Sequence, residues 1–257
     1  MRERAEYLVK LTGESIKGYV IEEKIWQGAT STVYRCSSEN GNSRYGKILA
    51  IKVLHPYRNQ PQHIKQFARE AKIQSLFNHE NIVKVYGMAK KDAVLGIFME
   101  YVNGESLRMA GRNGELTAEW FINFFLKLAE TVEHIHGKGI VHNDLKPENI
   151  IVARNGAMLK LTDFGYAEQL RGWFKKELSA GGTEKYMAPE RARGAFDERS
   201  DVYSFGVLLD EYLKDRLQNE RIYLIIAKAT EKEPYKRYAS MTEVKEQLQR
   251  LYVEFTS

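Results

Sequence analysis

The chain has 257 residues, 43% of them hydrophobic and 28% charged, enough to bury one large core or two lobes. Its net charge of +5 does not select nucleic acid, because basic and acidic residues alternate throughout and no base-stacking or groove-reading motif occurs. No run of about eighteen apolar residues exists, which argues against a helical membrane span, and the charged start MRERAEYLVKLTGES lacks the apolar stretch of a secretion signal.

In chain order, the segments GYVIEEKIW (18–26), STVYRCSS (31–38) and KILAIKVL (47–54) are predicted strands, the last two separated by the polar turn ENGNSRYG. Cys36, in the second of them, is the single cysteine. It excludes an internal disulfide, suits a reducing, cytoplasmic location and reads as a packed thiol. The periodicity of IKQFAREAKIQSLF (64–77) predicts a helix with Ile64, Phe67, Ala71 and Ile73 on one face. NIVKVYGMA (81–89) and VLGIFMEYV (94–102) are two further predicted strands. Beyond Val102 the pattern becomes helical. WFINFFLKLAETVEHIHGKG (120–139) reads as a long apolar helix stopped by glycines, and Ser200 to Lys214 as a second, mostly buried one. The expected fold is α+β: a small strand-rich lobe with one main helix over residues 18–101, and a larger helical lobe over 102–257. Residues 1–17 are expected to form an N-terminal extension, and ligands favour the cleft between two such lobes.

The stretch HNDLKPENI (142–150) carries the chemistry. In-line phosphoryl transfer needs a group to orient the attacking hydroxyl, a cation beside the transferred phosphate and oxygen ligands for magnesium. Asp144 suits the first task, Lys146 the second, and the amide oxygen of Asn149 the third. Alone, the octapeptide HNDLKPEN could read as a charged surface loop, but the motifs that follow it in order favour the chemical reading. Asp163-Phe164-Gly165 follows an apolar strand, with a turn expected at Arg154-Asn155-Gly156. The Asp163 carboxylate is placed to hold metal with Asn149, while Phe164 packs inward. Upstream, Lys52 sits in the apolar pattern ILAIKVL, where an unpaired ammonium is costly. Glu70 is its expected partner, and together they would face the α- and β-phosphates.

The segments AIK (50–52), HNDLKPEN, DFG and YMAPE (186–190), in that order, resemble the eukaryotic-type protein kinase signature, from about Gly18 to near the end. The resemblance implies a two-lobed fold with ATP and Mg2+ (or Mn2+) in the cleft, and transfer to a protein hydroxyl. LKPEN with GTEKYMAPE resembles the serine/threonine branch, in which Lys146 and Thr183 lie near the acceptor. By motif position, Val33, Ala50 and Ile151 would sandwich adenine, with Ile25, Gly28 and Ser31 in the nucleotide-covering segment. Met99 would be the gatekeeper, and Glu100 and Val102 would offer backbone groups to the base. Glu190 is expected to pair with Arg237 beneath the substrate platform, and Asp201 to anchor the catalytic loop through backbone amides.

Several positions depart from that pattern. WQGATSTV (26–33) keeps only Gly28 of the glycine loop, with Trp26 and Ser31 in place of the outer glycines. The loop should be stiffer, and Trp26 is expected to shield the nucleotide or the cleft. Asn143 stands where many relatives have an arginine that grips an activation-loop phosphate, so activation through phosphorylated Ser179 or Thr183 by that route is not expected. Gln74 falls where relatives stack an apolar side chain, which suggests looser coupling of its helix. The region 210–228 is short, implying unusual partner recognition. Glu148 is a candidate reader of a basic residue flanking the acceptor.

An active serine/threonine kinase acting on protein substrates is the leading reading. A nucleotide-binding scaffold and a small-molecule phosphotransferase are the alternatives. No appended sensor domain is expected, and a monomer is the default.

Overall fold

The computed structural model describes residues 11–41, 45–58, 60–112, 116–154, 159–170 and 184–257. The chain divides into two compact units: Met1–His79 with Val83–Val102, and Glu80–Ile82 with Asn103–Ser257.

The first unit is a six-stranded antiparallel sheet of β1 (Ser15–Ile16), β2 (Tyr19–Gln27), β3 (Ser31–Ser38), β4 (Ile48–Leu54), β5 (Val85–Lys91) and β6 (Val94–Glu100), in the order β1-β2-β3-β4-β6-β5. Lys17 (φ 48°) and Gly18 (φ 78°) form the two-residue turn from β1 to β2, so part of the span read as an extension pairs into the sheet. Alternation gives the sheet two distinct faces. Tyr34, Cys36, Leu49, Ile51, Val53 and Phe98 build a core with Ile16, Tyr19, Ile21 and Ala89. Burial pushes the Cys36 thiol up to about 12, which makes it a packing group rather than a nucleophile. On the opposite face, Val33 stands across from Lys52, and Ala50 across from Met99.

Helix α1 (Pro61–Gln74) begins three residues before the predicted start, because Pro61 at its first position fits the helical φ and needs no hydrogen-bond partner. It buries Phe67, Glu70, Ala71, Ile73 and Gln74. Ile64 is 38% exposed, which corrects its assignment to the buried face: the stripe ends a turn inside the helix. The strand predicted over 81–89 also changes. It starts at Val85, while Ile82 forms a parallel bridge with Leu161 and the Asn81 carbonyl accepts from Leu161 N at 2.7 Å, so both belong to the second unit.

The second unit holds α2 (Leu107–Ala110), α3 (Ala118–Gly137), α4 (Glu198–Tyr212), α5 (Lys214–Leu217), α6 (Glu220–Ala229) and α7 (Met241–Thr256). Two small sheets complete it: β7 (Gly104–Ser106) with β9 (Ile150–Ala153) and β10 (Leu159–Leu161), and β8 (Ile140–Val141) with β11 (Glu168–Gln169). Thr117 caps α3 by accepting from Trp120 N at 3.1 Å, and Asp197 caps α4 by accepting from Arg199 N at 2.8 Å. The α3 aromatics Phe121 and Phe125 pack with Phe205 and Tyr212 of α4 into the core. Gly206 lets α4 and α6 meet closely, since a Cβ there would lie 2.7 Å from the Ala229 Cβ. The short region 210–228 is filled by α5, a left-handed Gln218 (φ 45°) and the start of α6. Among the described residues no helix is long and apolar enough to cross a membrane.

Candidate active site

In the first unit, Lys52 on β4 and Glu70 on α1 form the expected pair, Nζ to Oε1 2.5 Å, both side chains 7% exposed. Each charge neutralises a partner that would be costly to bury alone. Val33, Ala50 and Met99 share the face of the sheet that carries Lys52. Glu100 ends β6, its backbone N–H donating to the Lys84 carbonyl at 2.8 Å, and Val102 lies just beyond, partly buried. Ile25, on β2, is 48% exposed.

The β2–β3 turn is closed by Gly28 N donating to the Ser31 carbonyl at 2.9 Å, with Ser31 buried. The Trp26 indole lies over Gly28: a Cβ at Gly28 would come within 2.1 Å of its Cη2. The remaining glycine therefore accommodates the residue that replaced its neighbour. The turn is also held from β4 onward. Thr32 Oγ1 bonds His55 Nε2 at 2.9 Å, His55 Nδ1 bonds the Tyr57 hydroxyl at 2.6 Å, and that hydroxyl donates to the Ala29 carbonyl at 2.9 Å.

In the second unit, β8 delivers the chain into the loop from His142 to Lys146, and the single turn Pro147–Asn149 leads into β9. Asp201, fully buried on α4, suspends this loop. Its carboxylate accepts from His142 N and Asn143 N at 2.8 Å each, and from His136 Nε2 at 2.9 Å. Burial opposes ionisation of Asp201, yet the bonds from His136 and the loop amides hold its carboxyl below the usual range. The expected anchoring role is present in the geometry.

Asp144 is buried, and its Oδ2 accepts from Lys146 Nζ at 2.7 Å and from Asn149 Nδ2 at 2.9 Å. Desolvation raises the Asp144 pKa, Lys146 opposes that shift, and nearby Asp163 adds to it. The β9–β10 pairing and the bond from Thr162 N to the Asn149 carbonyl, 3.0 Å, set Asn149 beside the strand end that leads to Asp163. Asp163 takes a left-handed φ of 63°, a strained conformation for a carboxylate residue that often marks functional positions. Phe164 is buried against the His142 ring, centroids 4.8 Å apart, and burial lowers the pKa of that imidazole. Ile151 lies on β9.

Asn143 also has φ 63°, a conformation asparagine adopts more readily than most residues. Both polar atoms of its side chain are buried without a partner among the described residues. Thr183 and Ser179 lie outside the described residues, as do Asn155 and Gly156 of the predicted turn.

Asn149 and Asp163 offer hard oxygen donors from neighbouring strand ends. No cluster of three His, Cys, Asp or Glu side chains suited to a metal occurs among the described residues. Asn149 and Asp163 together fit a divalent cation that takes one or two protein oxygens and completes its shell with phosphate and water.

Below the loop, Glu190 and Arg237 form the expected pair in bidentate geometry, 2.8 and 2.7 Å, with Ser200 Oγ adding 3.0 Å to Glu190. The remaining Arg237 donors reach the Arg199, Glu231 and Lys232 carbonyls. Sequence reasoning missed a second cluster. Arg108 on α2 donates to Glu148 Oε1 at 2.8 Å and to the Tyr186 hydroxyl at 2.6 Å, and also bonds Glu211. These partners lie 40 to 103 positions from Arg108, beyond any local motif.

Residues 19–252 match the family model described as "Protein kinase domain". The chain is 34% identical over 212 residues to serine/threonine-protein kinase PrkC of Bacillus subtilis, covering 80% of this chain and 32% of that protein. It is 37% identical over 180 residues to serine/threonine-protein kinase pkn2 of Myxococcus xanthus, covering 67% of this chain and 22% of that protein. The chain thus spans a third or less of these relatives. The crystal structure of the Mycobacterium tuberculosis PknI kinase domain shares the fold, with a TM-score of 0.72 at 22% identity, covering 93% of this chain and 98% of that one. By its matched span and the motifs that fall within it, the chain belongs to the protein kinase domain family.

Proposed function

We propose that this chain is a serine/threonine protein kinase that transfers the γ-phosphoryl group of ATP, with magnesium, to hydroxyls of protein substrates. The observation that carries the reading is the Asp144 carboxylate, held by Lys146 at 2.7 Å and Asn149 at 2.9 Å in a loop suspended from Asp201.

Each group has one task. Asp144 accepts the hydrogen bond of the incoming serine or threonine hydroxyl and takes its proton as the phosphoryl group departs. Lys146 lies within reach of the same point and balances charge on the transferring phosphoryl oxygens. Asn149 and Asp163 would hold magnesium, which when bound neutralises and orients the terminal phosphates. In the first unit, Lys52 is held by Glu70 to meet the α- and β-phosphates. The apolar face bearing Val33, Ala50 and Met99 suits the adenine ring. All six polar groups are retained, so no observation favours a scaffold reading over an enzyme.

The test is transfer from labelled ATP to a peptide library with one fixed serine or threonine, followed by phosphoamino-acid analysis. Label on serine or threonine that vanishes in Asp163→Ala is the expected result. Nucleotide binding without transfer to any peptide or protein would overturn the proposal.

A further inference from the structure

Glu148 lies in the single turn between Lys146 and Asn149, four residues along the chain from the acceptor-orienting Asp144. A free carboxylate there would attract an arginine or lysine beside the phosphorylated residue. The structure closes that option. Glu148 Oε1 accepts from Arg108 Nε at 2.8 Å, and Oε2 is buried without a partner among the described residues. Arg108 also bonds Glu211, whose other oxygen accepts from Lys185 at 2.6 Å and from the Tyr186 hydroxyl at 2.5 Å. Two carboxylates are thus matched by two cations, and the most exposed member of the group is the Lys185 ammonium, with 56% of its side chain accessible.

We propose that Arg108 is a specificity-determining residue. It occupies Glu148 and Glu211 from within the chain, so that acceptor segments with neutral or acidic flanks are used and a flanking arginine brings no advantage. This rests on the protein kinase reading above. Arg108 is a positioning residue, acting through Glu148 rather than on the reacting atoms. An internal guanidinium held in three bonds competes with any substrate arginine at no cost in translational freedom.

The test compares a serine peptide with alanine flanks against the same peptide carrying arginine at each flanking position in turn. Wild type should show kcat/KM ratios within about twofold of one, whereas Arg108→Ala should favour one arginine peptide by about tenfold, the worth of one new charge-assisted contact. The double variant Arg108→Ala/Glu148→Gln should lose that gain. Should Arg108→Ala fold poorly, Glu148→Gln alone answers the question, because it should leave the wild-type ratio unchanged. A wild-type preference for arginine that Glu148→Gln abolishes overturns the inference, as does an Arg108→Ala enzyme without new discrimination. Fluorescence anisotropy of the same labelled peptides gives a readout independent of catalysis. If no peptide is phosphorylated, the kinase reading fails, while about tenfold tighter binding of an arginine peptide by Arg108→Ala still supports the proposed role of Arg108, and equal binding refutes it.

Discussion

Asn149 donates its side-chain amide to both the backbone carbonyl and the Oδ2 of Asp144, each at 2.9 Å. Two consequences follow from one orientation. The carboxylate is fixed for its hydroxyl, and the Asn149 Oδ1 becomes the side chain's acceptor, available to a cation. Asn149→Asp replaces both donors with a second carboxylate and raises the already elevated Asp144 pKa further. Turnover at neutral pH should fall about a hundredfold or more, whereas Asp144→Asn should cost about 10²- to 10⁴-fold and leave nucleotide binding largely intact. Steady-state kinetics with a parallel nucleotide titration separates the two effects. Full turnover in Asn149→Asp would show that this orientation does not matter.

The pH dependence of transfer follows from the same carboxylate. Asp144 works ionised, and burial raises its pKa, so kcat should fall as pH drops through that raised value. Lys146 lowers the Asp144 pKa through its charge and its hydrogen bond. Lys146→Met removes both, and the acid limb of the kcat–pH profile should move to higher pH, together with a lower plateau. An acid limb that stays put or moves to lower pH would contradict the coupling.

Glu190 and Arg237 carry a stability prediction. The Arg237 side chain is fully buried and its donors are saturated by Glu190 and three carbonyls. Removing either partner strands a charge, so Arg237→Ala should cost about 3–5 kcal/mol. Burial alone would raise the Glu190 pKa, but the bonds from Arg237 and Ser200 hold it below the usual value of 4.5. A carboxylate with a depressed folded pKa contributes stability above its unfolded pKa and loses it as pH falls through the folded value. The stabilisation is therefore complete at neutral pH and declines below about pH 4.5, the ordinary value for a glutamate. Urea midpoints of wild type and Glu190→Gln, compared at neutral pH and near pH 4, should converge on acidification.

The sequence made the second unit's chemistry readable because Asp144, Lys146 and Asn149 lie within one short loop and Asp163 follows one hairpin later. The Lys52–Glu70 pair was inferable because a lysine inside an apolar strand demands a counter-charge. Asp201 and the Glu190–Arg237 pair were reachable only through the family motif, since nothing local links residues 47 positions apart. The Arg108 cluster had no such signal. Backbone conformation was equally hidden. Asn143 adopts a positive φ that asparagine tolerates better than most residues, and a side chain at Gly28 would collide with the indole of Trp26. Ile82 is buried against the second unit rather than in the predicted strand, because apolarity marks burial without naming which surface covers the residue, whereas Ile64 stays exposed because the apolar stripe ends a turn inside the helix.

Gln74 shows how a polar residue in an apolar position is resolved by a single bond. Its sequence position suggested a loosened helix, yet the side chain is 2% exposed and Nε2 donates to the Val83 carbonyl at 2.8 Å. That bond ties the last turn of α1 to the chain entering β5. Gln74→Leu would place an apolar side chain at this buried position but remove the donor to a buried carbonyl. A leucine of similar reach gains apolar burial, but the orphaned carbonyl costs about 1–3 kcal/mol, and the unmet acceptor should outweigh the added packing. The variant should unfold at lower urea than wild type with an unchanged m-value. A midpoint equal to or above that of wild type would mean that Val83 finds another donor and that Gln74 is not what fastens this helix.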